Sequence, residues 1–295
     1  MRVRAFAKIN LSLRVLGVRA DGYHDLETIF QSIALHDTLT IRAARGPFRL
    51  TCDDPGCPSD DTNLIWRASE RLWTVARRRG GVRDISIDLV KRIPRQAGLG
   101  GGSSDAAAVL RALGRLWSVD EARLRATAAD VGADVPYFLE GGTALGLGRG
   151  DRLFPLLDHP AAWVVLALPS FGVSTTEAFG WWDASRSLGQ PFQGRHRSGA
   201  PDTGALPVSD MVNDLEAPVV AHHPQIARLV RGLRKAGASH AAMTGSGSAV
   251  FGLFARRLAA VEAARALRGP ASRRPVMTLA TRTLNRTRYR ALARM

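Results

Sequence analysis

Residues 94–108, PRQAGLGGGSSDAAA, place Gly98, Gly100, Gly101 and Gly102 between a strand pattern and a helix pattern. The preceding residues 85–90, ISIDLV, alternate apolar and polar as a half-buried strand does. The following residues 104–116 read as a helix opened by the hydroxyls of Ser103 and Ser104. Glycines there let the backbone turn sharply and come close to a ligand. The hydroxyls join the unpaired N–H groups and the positive dipole of the helix start, which makes an anion site suited to phosphate. A single cap residue is enough to open a helix, so four glycines in five positions point to more than a cap. No lysine follows the glycines in the Walker A manner, and G-x-G-x-x-G is absent from the stretch. A phosphate-transferring enzyme built on this loop must therefore bring its cation from elsewhere.

Working outward, residues 3–7, 11–15, 27–35 and 38–42 read as short strands separated by turn signals such as Arg19 to Gly22. Residues 61–63, Asp-Thr-Asn, cap a helix with Leu64, Ala68, Leu72, Val75 and Ala76 on one face, and residues 119–131 form a third helix. In the second half, residues 163–168, 249–254 and 277–283 read as strands, and residues 224–236 and 257–267 as helices. Residues 190–207 are rich in Gly, Pro, Ser and Arg without any period, which predicts a surface excursion. Strands grouped among helices, without regular βαβ alternation, indicate an α+β fold.

The chain has 295 residues, 45% of them hydrophobic, so it can bury a sizeable core and form two domains or one large one. No run nears the roughly 18 apolar residues of a membrane span, and the first residues lack the apolar core of a secretion signal. A cytoplasmic setting is expected. Cys52 and Cys57 are too few for a disulfide framework or a zinc site and are expected to be surface-loop thiols. The net charge of +15 favours polyanions, whether nucleic acid, acidic membrane or phosphorylated small molecules. Short clusters such as Arg77–Arg79 do not make a basic stripe with interleaved aromatics, so neither a nucleic-acid nor a membrane partner is expected.

Three further segments carry candidate chemistry. Alternation puts Phe6, Lys8 and Asn10 on one strand face, where Lys8 is either the missing cation or an exposed side chain. Asp134 precedes Val135–Pro136, which biases the backbone toward an extended form; it is either a base for an alcohol or a helix-ending turn residue. Residues 243–248, MTGSGS, make a second Gly/Ser loop, equally a hairpin or a ligand wall. His222 and His223 have no ligand partner at helical spacing and read as surface at a helix start.

Together these segments resemble the GHMP kinase superfamily. Residues 7–33 (AKINLSLRVLGVRADGYHDLETIFQSI), 97–108 (AGLGGGSSDAAA), 132–151 (GADVPYFLEGGTALGLGRGD), 213–216 (NDLE), 245–254 (GSGSAVFGLF) and 278–284 (TLATRTL) carry the likeness over almost the whole chain. Within the superfamily they resemble the branch that phosphorylates the 2-hydroxyl of a cytidine-diphosphate-linked methylerythritol in the non-mevalonate isoprenoid pathway. The resemblance implies a ribosomal-protein-like α+β domain over residues 1–157 and a ferredoxin-like domain over 158–295, the last strand a candidate to return to the first. It implies ATP as phosphoryl donor with Mg²⁺ as its counter-ion. Asp134 then matches the general base and Lys8 the cation that steadies charge at the reacting hydroxyl. Pro94, Arg95, Gln96, Ala97, Gly98, Leu99, Gly100, Gly101, Gly102, Ser103 and Ser104 match the ATP phosphate cradle. Asn10 matches a contact to the polar end of the substrate. Tyr23 and His24 match residues that hold the cytosine, with Phe179 resembling an aromatic on its other face and Thr175 a nearby polar contact. Arg95–Gln96 departs from the small residues usual before the glycines, and Thr244 stands where serine is usual.

Overall fold

The first fifty residues form one long hairpin, in which β1 (Arg2–Val18) and β2 (His24–Pro47) pair antiparallel. The sequence pattern suggests four short strands instead. The difference lies in register shifts at Phe6/Lys8, Asn10/Ser12 and Val15/Gly17, bulges that interrupt the alternation without ending the ladder. Of the expected breaks in the first forty residues, the turn at Arg19 to Gly22 is the one that reverses the chain, with Gly22 at a φ of +79° and its N–H donating to Arg19 O. The first bulge also splits a face that strict alternation joins. Phe6 packs with Leu284 and Tyr289, whereas Lys8 stays beside Asn10.

The computed structural model describes residues 1–187, 211–268 and 276–293; the aperiodic stretch 190–207 lies outside them. The first sheet runs β3 (Arg49–Cys52), β4 (Arg83–Val90), β2, β5 (Thr143–Gly148), β6 (Arg152–Pro155), with β1 also paired to β2. Helices α1 (Leu64–Val75), α2 (Gly101–Leu116), α3 (Glu121–Val131) and α4 (Val135–Glu140) share one apolar cluster with this sheet through Leu72, Leu110, Leu124 and Phe138 against Leu39 and Ile87. Of the capping stretch 61–63, Asn63 is the residue that caps α1, its Oδ1 accepting from Ile65 N at 2.9 Å. Cys52 and Cys57 are half-buried against this cluster; Cys52 lies on β3, an edge strand that the sequence pattern hides, and Cys57 in the loop that follows, as expected. Burial and the neighbouring Cys52 push the Cys57 thiol up to about 12, so it stays protonated.

The second sheet contains β7 (Trp163–Leu168), β8 (His240–Met243), β9 (Val250–Phe254) and β10 (Met277–Arg282) in the order β10-β7-β9-β8, all antiparallel. Helices α7 (Gln225–Lys235) and α8 (Arg257–Arg268) pack against it. A βαββαβ chain order with the fourth, first, third and second strands side by side is the ferredoxin-like arrangement. Ile226, Leu229, Val230 and Leu233 of α7 are buried, as the apolar period requires. Helices α5 (Thr175–Ser187) and α6 (Glu216–His222) lie between β7 and α7 in the chain. His222 and His223 end α6, stacked on Trp181 and Phe171 at 4.2 and 4.3 Å.

The two sheets meet through a shared apolar layer. Ile9, Leu11 and Ile33 of the first pack with Leu166, Phe251 and Leu253 of the second, and Ala97 and Leu99 of the glycine-rich loop sit in the same layer. β10 remains in the second sheet; the element that returns to the first is the terminal helix α9 (Arg286–Ala293), which packs on β1. Tyr289 of α9 fills the space over Gly141, where φ is +69° and an added Cβ would lie 2.1 Å from the ring. Replacement Gly141→Ala should therefore cost about 2–4 kcal/mol through strain and overpacking. The control Gly81→Ala, which faces open space, should stay within about 0.5 kcal/mol by urea denaturation. Equal midpoints for the two variants would contradict this account.

Candidate active site

The glycine-rich segment leaves β4 and turns into α2 three residues earlier than the pattern suggests, with Gly100 as N-cap. Gly101 and Gly102 thus belong to the first helical turn. Gly98 and Gly100 take φ values of +71° and +70°, a region other residues enter only with strain. A Cβ on Gly98 would lie 2.0 Å from Thr244 O, and one on Gly100 would lie 2.7 Å from the Phe138 ring and 3.2 Å from Lys8 Cε. The glycines therefore serve two ends: they set the turn, and they admit the second Gly/Ser loop and the lysine at close range.

Lys8 is 4% exposed. Its backbone N–H donates to Leu99 O at 3.1 Å, its Nζ donates to Asn10 Oδ1 at 2.7 Å, and Asp134 Oδ2 lies 3.5 Å away. The bulge after Phe6 resolves the ambiguity of the strand pattern in favour of a buried, partnered cation. Asp134 is the N-cap residue of α4 with helical backbone (φ −81°, ψ −15°), and Val135, which Pro136 biases toward an extended form, is instead the first residue of the helix. Proline is tolerated in the first helical turn, where no N–H partner is lost. The carboxylate of Asp134 makes no capping bond and is free to face the cavity beside Lys8.

That cavity, of about 980 Å³, runs between the two sheets. Lys8, Asn10, Tyr23, His24, Asp134, Thr175, Phe179 and residues 94–103 all border it. Ser104 does not. It is buried, its hydroxyl donates to Phe6 O at 2.7 Å, and it ties α2 to β1. Asn10 donates from Nδ2 to Thr28 Oγ1 at 2.7 Å and, through its backbone, to Thr244 Oγ1 at 2.9 Å, which leaves one Nδ2 proton for a ligand. The hydroxyl that replaces the usual serine at Thr244 is thus in use. Phe179 stacks directly on His24, with centroids 4.4 Å apart, so a base cannot lie between those two rings. Tyr23 is the exposed aromatic at that end, with Arg149 placed 5.2 Å over its ring. Thr175 Oγ1 is 3.4 Å from Ser246 Oγ of the second loop.

Several contributors escape the sequence reading. Lys91, at the entrance to the loop, is buried between Asp37 and Asp105. Burial opposes its charge, but the two carboxylates outweigh it and hold Lys91 above the ordinary lysine range. Asp37 also accepts from the N–H groups of Arg92 and Ile93, whereas Asp105 Oδ1 has no partner among the described residues. Burial pushes Asp105 up to about 8, with Lys91 opposing the shift. A clue was available: Lys8, Lys91 and Lys235 are the three lysines in a chain with 41 Lys and Arg. Asn213, recognised only as part of NDLE, donates to Met243 O and Gly245 O at 2.8 and 2.9 Å and so pins the second loop.

Comparison with known proteins agrees with this geometry. Residues 63–142 match the GHMP kinases N terminal domain and residues 203–272 the GHMP kinases C terminal model. The 4-diphosphocytidyl-2-C-methyl-D-erythritol kinase of Anaeromyxobacter dehalogenans (strain 2CP-C) is 46% identical, covering 95% of this chain and 90% of its own length. The chain belongs to the 4-diphosphocytidyl-2-C-methyl-D-erythritol kinase family. The enzyme of that name from Moorella thermoacetica is 41% identical over 95% of this chain and 98% of its own. A crystal structure of 4-(cytidine 5'-diphospho)-2C-methyl-D-erythritol kinase, 35% identical, superposes with a TM-score of 0.75 over 96% of this chain and 99% of that one. Homoserine kinase from Cytophaga hutchinsonii, at 20% identity and a TM-score of 0.68, shares the fold.

Two outcomes follow for the loop. Gly98→Ala should weaken ATP binding at least tenfold, about 1.4 kcal/mol, because the loop must withdraw from Thr244; calorimetric titration reads this directly. For Asp105, the folded state keeps a proton that the unfolded chain releases above about 3.8. The proton-bound folded state is therefore favoured at low pH, and that contribution is lost as pH rises toward about 8. Asp105→Asn should remove this decline between pH 5.5 and 8.5 in urea midpoints. An unchanged slope would refute the assignment.

Proposed function

We propose that this chain transfers the γ-phosphoryl group of ATP to the 2-hydroxyl of 4-diphosphocytidyl-2-C-methyl-D-erythritol, in the non-mevalonate isoprenoid pathway. The observation that carries the mechanism is the Lys8–Asp134 pair, 3.5 Å apart on the wall of the cavity that the start of α2 borders. Asp134 takes the proton of the substrate hydroxyl, and Lys8 supports the charge that develops there. Phosphoryl transfer asks mainly for alignment and charge stabilisation, and both groups sit on elements fixed by packing. Gly101, Gly102 and Ser103, in the first turn of a 16-residue helix, turn N–H groups toward the phosphates. Asn10 holds the ammonium group of Lys8 in place and contacts the polar end of the substrate. Tyr23, His24, Phe179 and Thr175 hold the cytidine end.

Mg²⁺, bound as the counter-ion of ATP, would supply positive charge that neutralises the phosphates. The donor that suits it beside the loop is the oxygen of the Ser103 hydroxyl, a hard ligand of the kind magnesium takes. Residues 1–157 and 158–295 are the two domains of this reading, with the cavity between them, and the reaction takes place in the cytoplasm. Among the described residues no helix is long and apolar enough to cross a membrane.

ADP release from ATP and Mg²⁺ should depend on the cytidine-linked substrate and not appear with mevalonate, homoserine or galactose. Asp134→Asn should lower kcat by about 10²–10⁴-fold, the range of general-base catalysis, while ATP binding stays within about twofold. A variant with full turnover would remove Asp134 from its role.

A further inference from the structure

His24 is fixed by three neighbours on α5. Its ring stacks on Phe179 at 4.4 Å, meets Trp182 edge-on at 5.6 Å, and places Nε2 2.9 Å from Asp183 Oδ1. An ionised carboxylate can only accept hydrogen bonds, so the Nε2 it faces must be the donor. In the neutral imidazole the other nitrogen, Nδ1, then carries a lone pair and no proton. His24 lines the cavity, and Nδ1 makes no hydrogen bond among the described residues.

From this geometry we infer that Asp183 is a positioning residue for base selection, setting His24 as a hydrogen-bond acceptor toward a pyrimidine bearing an exocyclic amine. The inference rests on the cytidine substrate proposed above. Cytosine presents an N–H₂ donor at the edge where uracil presents a carbonyl oxygen. An acceptor at Nδ1 pairs with the amine and opposes the carbonyl. To donate to uracil, the neutral ring must move its proton from Nε2 to Nδ1, which turns the Nε2 lone pair against the Asp183 carboxylate. A site built to hydrogen-bond one group discriminates strongly against an analogue that leaves buried polar atoms mismatched. The stacked Phe179 and edge-on Trp182 keep the ring from escaping this conflict by turning.

The replacement Asp183→Asn keeps the shape but changes this constraint. The amide can accept from Nε2–H, or rotate and donate to an unprotonated Nε2, so both tautomers become available. The test compares kcat/KM for the cytidine-diphosphate and uridine-diphosphate forms of methylerythritol at pH 8.5, well above the ordinary histidine value of about 6.5. The wild-type protein should prefer the cytidine form at least tenfold, and Asp183→Asn should narrow that ratio at least fivefold. Equal use of both bases by the wild type, or an unchanged ratio in the variant, overturns the inference. Nitrogen-15 NMR of the His24 ring in the wild-type protein at pH 8.5 is the second measurement, independent of turnover and of the variant's folding. Nε2–H supports the inference and Nδ1–H defeats it. If the wild type phosphorylates neither form, the proposed function fails, and the ring spectrum still decides the tautomer.

Discussion

An ammonium group that is only 4% exposed has to find its counter-charge inside the protein, and Lys8 finds it across three elements. Asn10 supplies an oxygen from the same strand, Asp134 a carboxylate from the start of α4, and Phe30 a ring face at 5.5 Å from β2. Leaving such a charge unpartnered would cost several kcal/mol, so the hairpin and α4 are held to one relative placement. The short helix is in turn secured from behind. Tyr289 Oη donates to Phe138 O at 2.6 Å, Arg111 donates to the carbonyls of Phe138 and Leu139, and Glu140 pairs with Arg125 and Arg290. Six residues cannot hold a helix by themselves. The last helix of the chain therefore supports the element that carries the carboxylate, although it lies far from the substrate end of the cavity.

The contact between the two glycine loops is a second constraint, and it depends on the absence of side chains. Gly98 lets Thr244 O approach, Thr244 Oγ1 accepts from Asn10 N, and Asn213 grips the carbonyls on either side of Thr244. The second sheet thus reaches the phosphate loop and the lysine strand through a few directional bonds. The apolar layer of Ile9, Ile33, Leu166 and Phe251 brings the sheets together. Apolar burial is non-directional, and the hydrogen bonds at the loops supply the alignment it lacks.

How much of this was legible in the sequence follows the range of the forces involved. The phosphate loop, the α1 cap and the buried face of α7 were readable because glycine freedom, capping and helical period act over a few neighbouring residues. The hairpin was misread as four strands because a bulge looks like a break when its partner strand is unseen. Val135 reads as extended for a similar reason: Pro136 biases the residue before it, yet proline is equally compatible with a first helical turn, and Val135 opens α4. The Lys91–Asp37–Asp105 cluster could not be read, since its members are 14 and 54 residues apart. The family likeness brought Tyr23, His24 and Phe179 together, but it did not indicate that two of those rings stack on each other.

The two ends of the cavity are built differently, and their chemistry explains why. At the phosphate end the cations buried beside the glycines are Lys8 and Lys91. Each is a compact ammonium in a space bounded by glycine backbone, with Lys91 Nζ only 3.1 Å from where a Cβ on Gly101 would stand. A planar guanidinium is wider and is not the equivalent of an ammonium in such a space; lysine stands at both positions in a chain otherwise dominated by arginine. At the other end Tyr23 is 55% exposed, and arginine and aromatic rings share its surroundings. A phosphoryl group in transfer needs fixed charges that do not reorganise. A nucleoside entering from solvent needs an accessible face to stack on and one edge that reads its hydrogen bonds. On the proposed function, Lys8 and Asp134 answer the first requirement, and His24, held by α5, answers the second.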